Sequence, residues 1–216
     1  MYGKIAILST AAILTATSSF AATSATATTD LNLRANPGPL GEIIGVIPGD
    51  GEVQVEQCAT EIDWCKVSFG GQEGWAYSPY LTASLDTKPV ILRDNIQRLQ
   101  VETVDVNEDQ RADAATAGAL TGGAIAMSLI GGPAAVAAGV LLGTAAGASA
   151  VPEESVTYVE AHPVQPVYMN GEVIVGAGIP EGAQLVAIPD SDYRYINVNG
   201  QPVLVDTDRT IVKIVR

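Results

Sequence analysis

The residues of this 216-residue chain whose types could do chemistry are few: two cysteines, one histidine and some closely spaced acids. Cys58 and Cys65 have six residues between them. A redox pair of the CxxC kind needs two, so the spacing speaks against thiol-disulfide exchange. It suits a bridge across a β-hairpin, formed in an oxidising compartment, with two reduced structural thiols as the alternative. A loop this short stabilises by ~2–3 kcal/mol when closed. His162 precedes Pro163 in an extended stretch and no nucleophile elbow accompanies it, so it reads as a solvated loop residue. Asp190 with Asp192, and Asp206 with Asp208, fall in predicted turns, where turn chemistry explains them. Asp105-Val106-Asn107-Glu108-Asp109 opens like a calcium loop. Gln110 then stands where glycine is required and Thr116 where the bidentate glutamate is required, which leaves a solvated acidic turn. No catalytic residue, metal site or cofactor is expected, and the chain reads as a non-enzyme.

The charge pattern shows what surrounds these residues. The net charge is −13, yet the mean hydropathy is +0.24. Disordered acidic chains are not this hydrophobic, and so acidic a chain repels phosphate backbones, which excludes nucleic acid as a partner. Counted by segment, residues 22–83 carry −6, 84–113 carry −3 and 153–216 carry −5, while the 39 residues 114–152 carry no charge at all.

Residues 1–21 have the pattern of an export signal: Lys4, the apolar run Ile5–Leu14, and Ser19-Phe20-Ala21 with small residues at −3 and −1. Cleavage is expected after Ala21, with Ala22 and Ala27 as alternatives, and an N-terminal membrane anchor as the competing reading. No cysteine follows the apolar run, so a lipoprotein anchor is not supported. The expected location is the periplasm or cell envelope.

Residues 27–83 read as a small β-barrel. Short apolar strands (Leu31 and Leu33; Ile43–Ile47; Val53 and Val55; Trp64–Phe69) are separated by Asn36-Pro37-Gly38-Pro39, Pro48-Gly49-Asp50-Gly51 and Gly70-Gly71. Leu31-Asn32-Leu33-Arg34-Ala35-Asn36-Pro37-Gly38 resembles the opening of bacterial SH3 domains. Asp63-Trp64-Cys65-Lys66-Val67 resembles their central strand, and Gly74-Trp75-Ala76-Tyr77 with Tyr80-Leu81 their closing strand. The resemblance implies a small barrel that binds peptides of the cell wall or of envelope proteins, without catalysis. Aromatic grooves suit extended ligands. Trp64, Tyr77 and Tyr80 are the candidate ligand-binding residues, with core packing equally open for each; Trp75 is assigned to packing.

Residues 84–113 read as a connecting segment, with Pro89–Leu92 and Leu99–Val106 as two strands that extend the barrel or contact the C-terminal region. Residues 114–150 hold fourteen Ala and eight Gly, divided by Gly131-Gly132-Pro133. Ala114, Gly118, Gly122 and Ala126 recur every four residues, as do Ala135, Gly139, Gly143 and Gly147. This spacing predicts a helical hairpin over 114–152 with small-residue packing faces, the second resembling a glycine zipper. Two 17-residue helices are about 25 Å long, short of the ~30 Å hydrocarbon core. Membrane association, homo-oligomerisation and packing within the chain therefore stay open.

Residues 153–216 read as a small antiparallel β domain, with strands at Gln184–Ile188, Tyr193–Val198, Gln201–Val205 and Thr210–Val215 and a hairpin at Asn199-Gly200. Pro166-Val167-Tyr168, Ile179-Pro180 and the run Tyr195–Asp206 resemble domain-of-unknown-function family 1236, which accompanies bacterial SH3 domains in exported alphaproteobacterial proteins. The expected fold is mainly β: an N-terminal SH3-like barrel, a central Gly/Ala-rich helical hairpin and a small C-terminal β domain. The leading function is a non-enzymatic envelope protein whose barrel binds a peptide, in peptidoglycan or on an envelope protein, and whose hairpin tethers it to membrane or to itself. The alternatives are a stress-related assembly protein acting through the zipper, and a hydrolase using the barrel for targeting.

Overall fold

The computed structural model describes residues 22–105, 127–130 and 151–216, and the chain among them is mainly β. The N-terminal strands are β1 (Thr23–Ala27), β2 (Leu31–Arg34), β3 (Ile43–Ile47), β4 (Glu52–Ala59), β5 (Trp64–Phe69), β6 (Gln72–Tyr77), β7 (Leu81–Leu85), β8 (Lys88–Ile91) and β9 (Glu102–Thr103). They form one sheet in the order β3-β2-β6-β5-β4-β1-β7-β8, with β9 on β4, curled into a half-barrel. Alternation builds it: Val53 and Val55 of β4 are buried while Glu52 and Gln54 face out, and Ala25 and Ala27 of β1 meet the same core. Gly70 and Gly71 join β5 to β6 with φ of 58° and 84°, the geometry of a two-residue hairpin loop. At Gly74 a Cβ would lie 2.7 Å from Leu33 and 2.9 Å from the Arg34 carbonyl oxygen, so only glycine lets β6 approach β2.

One feature of this sheet differs from expectation. β1 begins at Thr23, ahead of the predicted barrel, and lies between β4 and β7. Past residue 83 the connecting segment extends the sheet, one of the two alternatives open for it: β7 and β8 pair around Asp86-Thr87, both at positive φ, and the short helix α1 (Leu92–Asn95) returns the chain to β9.

The C-terminal strands are β10 (Met127–Ser128), β11 (Pro166–Val167), β12 (Met169–Asn170), β13 (Val186–Ala187), β14 (Arg194–Val198), β15 (Gln201–Val205) and β16 (Ile211–Ile214). β14-β15-β16 is an antiparallel meander turned by Asn199-Gly200, φ 53° and 83°. β11 joins β14 in parallel, so the sheet is mixed rather than antiparallel. An unforeseen helix, α2 (Glu153–Ala161), covers one face. Side chains alternate between two cores: Tyr195, Leu204, Val212 and Val215 pack under α2, whereas Ile196, Val198, Val203, Val205 and Ile211 pack the opposite way. That second core is continuous with the barrel's own, joining Leu31, Leu33 and Leu81 to Met169, Val173 and Ile174. The two β modules are packed as one body.

The expected first helix of the hairpin does not reach Ile130. Met127–Ser128 is a strand, parallel to Met169–Asn170, and Ile130 bridges Gly178. Ladder hydrogen bonds, such as Ile130 N–H to the Gly178 carbonyl at 2.8 Å, outweigh the helical tendency of a small apolar stretch. Residues 114–126 and 131–150 of the hairpin, with Gly118, Gly122, Gly139, Gly143 and Gly147, lie outside the described residues, as do the export signal and the acidic turn beyond Asp105. Among the described residues no helix is long and apolar enough to cross a membrane.

Candidate peptide-binding face

Strand β2 carries Leu-Asn-Leu-Arg, a strictly alternating pattern. Leu31 and Leu33 turn into the barrel core, which sends Asn32 and Arg34 to the outer face. An outer face is ordinarily wet, yet all four residues are buried. The covering group is Glu172, from the segment between β12 and β13. Arg34 Nε donates to Glu172 Oε2 and Arg34 Nη2 to Oε1, both at 2.7 Å, a fork-to-fork pairing. The two side chains are 2% and 0% exposed. Asn32 Nδ2 donates to Glu172 Oε1 at 2.8 Å and to Gln201 Oε1 at 3.1 Å, and the backbone N–H of Val173 donates to Oε1 at 2.9 Å. Arg34 Nη1 donates to the Gly41 carbonyl at 2.6 Å. A buried charge pair must have its remaining valences met to recover its desolvation, and this one does.

The same outer face carries the aromatic residues. Trp64 and Trp75 cluster with Ala59, capped by Ile62, Tyr77 and Val104. The Arg34 guanidinium carbon lies 5.9 Å from the Trp64 ring centroid, within cation-π range. Trp64 and Tyr77 are 5.4 Å apart by centroids, Tyr77 and Tyr80 5.8 Å. The three candidate residues therefore form one contiguous row. Trp64 at 2% and Tyr80 at 3% exposure are enclosed by the chain itself, and Tyr77 is the half-buried member that meets solvent. Trp75 is buried in the same cluster, a packing position.

Electrostatics follow burial. Desolvation, then Tyr77 and Glu172, pushes the Tyr80 phenol up to about 12. Tyr77 is raised by burial, then by Asp63, with Arg93 opposing. Asp63 itself is raised above its ordinary 3.8, chiefly by burial, with Arg93 lowering it and Asp94 raising it. The solvent-facing rim around Tyr77 thus combines a phenol, a carboxylate and a guanidinium, groups that hydrogen-bond a peptide backbone. None of these is arranged as a nucleophile with a base.

The cysteines form a disulfide, Cys58–Cys65, between directly opposed residues of β4 and β5. It closes the hairpin that presents Trp64. His162 follows α2, is exposed, stacks on Tyr158 at 4.0 Å and places Nδ1 2.8 Å from the Tyr158 carbonyl. Asp206 Oδ1 accepts from the N–H groups of Asp208 and Thr210, a turn. Among the described residues no group of three His, Cys, Asp or Glu side chains could hold a metal ion. Sequence reasoning missed Glu172. It is one of nine acids in its segment, and nothing local distinguishes it from those that face water.

Residues 29–82 match the family model of the bacterial SH3 domain, and residues 158–216 that of a domain of unknown function, DUF1236. No curated protein matches the chain. The two matches come in the order that the sequence motifs implied.

Proposed function

We propose that this chain, a bacterial SH3 domain joined to a DUF1236 domain, is a non-enzymatic protein of the cell envelope whose barrel binds a peptide of peptidoglycan or of an envelope protein. The observation that carries this reading is the SH3 match over residues 29–82, on a half-barrel whose aromatic row has the solvent-facing Tyr77 at its centre. The Cys58–Cys65 bridge supports an oxidising location such as the periplasm. Export through residues 1–21 belongs to the same reading. The apolar run 114–152 supplies a tether to membrane or to other copies only through residues outside Met127–Ile130, which are committed to β pairing.

The test is co-sedimentation of the mature chain with purified peptidoglycan sacculi. Wild type is expected to be retained, and Tyr77→Ala to be retained several-fold less. Trp64→Ala is a poor control, because that buried ring supports Arg34. Equal retention of wild type and Tyr77→Ala, or none of either, refutes the peptidoglycan reading.

A further inference from the structure

We propose that the Asn32–Arg34 face is a carboxylate-binding site of the SH3 barrel, filled in this chain by Glu172 of the C-terminal domain. The inference deepens the peptide-binding reading and rests on it, by naming the chemical group that the barrel takes. Three side-chain donors reach the carboxylate, Arg34 Nε, Arg34 Nη2 and Asn32 Nδ2, and all three belong to the barrel. Arg34, which supplies two of the three, is oriented by barrel groups: the Gly41 carbonyl holds Nη1, and the Trp64 ring lies 5.9 Å from the guanidinium carbon; the Asn32 amide also meets Gln201 and Arg216 of the C-terminal domain. A guanidinium fixed by its own module is preorganised for an anion before the anion arrives.

Charge makes this face unlike the rest of the barrel. Residues 22–83 contain eight acids and only two bases, Arg34 and Lys66. Lys66 is engaged on the surface by Glu56 at 3.0 Å and Glu73 at 2.7 Å. Arg34 is therefore the barrel's one cation committed to an acceptor from outside it. A planar fork matches a planar carboxylate, and the amide of Asn32 adds a third donor on the same oxygen as Arg34 Nη2. Glu172 arrives on an irregular segment after Gly171 at φ 98°, presented as a single side chain from an extended loop.

The decisive experiment is chemical rescue in the full mature chain. Glu172→Ala removes a methylene and a carboxylate, the atoms that acetate restores. At pH 7, the Tm of Glu172→Ala is expected to rise by about 5 °C between zero and 200 mM sodium acetate, for a site of roughly 10 mM affinity. Sodium chloride at equal ionic strength and acetamide at equal concentration should give no such rise, and wild type should respond alike to both salts. If Glu172→Ala is unfolded in buffer, refolded yield in acetate against chloride makes the same comparison. An acetate-specific gain in Tm or yield supports the proposal; the absence of one overturns it. The readout involves no peptidoglycan. Rescue without sacculus binding by wild type refutes the peptidoglycan reading and leaves the carboxylate site standing, and the reverse pattern does the opposite.

Discussion

Breaking the Arg34–Glu172 pair should be among the costliest single changes available to this protein. With Glu172→Ala, the Arg34 guanidinium keeps its charge at 2% exposure, with the Gly41 carbonyl as its remaining hydrogen-bond acceptor from the network. Asn32 keeps its weaker contact to Gln201, and the Val173 N–H loses its acceptor. An uncompensated buried charge of this kind costs about 3–5 kcal/mol. Arg34→Met should cost a similar ~3–5 kcal/mol, because Asn32 and one backbone N–H cannot replace a guanidinium. The double variant Arg34→Met with Glu172→Met removes both charges and keeps volume, and should return to within about 1 kcal/mol of wild type. With Glu172→Met, expected to cost as much as Glu172→Ala, as the matching single variant, the coupling energy of the cycle would then be at least about 5 kcal/mol, against the ~0–1 kcal/mol expected of the exposed Lys66–Glu73 pair. Urea unfolding at pH 7 measures all of these proteins. Tryptophan fluorescence reports on the barrel, where both tryptophans lie, and far-ultraviolet circular dichroism on both modules. The two probes should share one transition, since one core spans both modules. A loss below about 1 kcal/mol in Glu172→Ala, or additive losses in the double variant, would refute the reasoning.

Three further outcomes follow from local geometry. Asp63 has φ 60°, a conformation that asparagine also adopts, so Asp63→Asn removes charge without backbone strain. Because burial raises the folded carboxyl above 3.8, ionisation costs more in the folded than in the unfolded chain. The variant should therefore have the higher Tm at pH 7, and the advantage should shrink as pH falls through the folded pKa and vanish below 3.8; a pH-independent difference would contradict the assignment. Thr87 is exposed at φ 67°, where a β-branched side chain is strained, so Thr87→Gly should gain about 1 kcal/mol in urea unfolding despite glycine's entropy. Reducing Cys58–Cys65, or Cys58→Ala with Cys65→Ala, should cost about 2.5 kcal/mol for a loop of this length, and an unchanged urea midpoint would show that the hairpin needs no staple.

The parts of the fold that could be read from the chain are those with local causes. Gly70-Gly71 and Asn199-Gly200 announce hairpins because their residues favour positive φ, and the structure has both turns. Cys58 and Cys65 flank a turn at a spacing that suits opposed strand positions, and they are bonded there. Asp86-Thr87 makes the same kind of turn without glycine, so it left no signal. Helix α2 reads Glu-Glu-Ser-Val-Thr-Tyr-Val-Glu-Ala, with β-branched residues that favour strands, and gains its support from packing on Ile188, Tyr195 and Leu204. Met127–Ile130 lies within the uncharged small-residue tract, and the partner strand that draws it into β pairing lies about forty residues on. The aromatic row was visible in Trp64, Tyr77 and Tyr80; its enclosure was not, because Glu172 is 138 residues from Arg34.

The double burial of β2 reaches beyond stability. Family matches divide this chain at residues 82 and 158, but the molecule has no seam there, since a strand in the first unit is completed by a glutamate in the second. A lineage that shuffled either unit to a new neighbour would inherit a half-made contact: an arginine without its acid, or an acid without its arginine. Inheritance should therefore act on the pair. Among related chains that keep both units, positions 34 and 172 should change together or not at all, and a solitary C-terminal unit should carry an uncharged residue at its half of the pair.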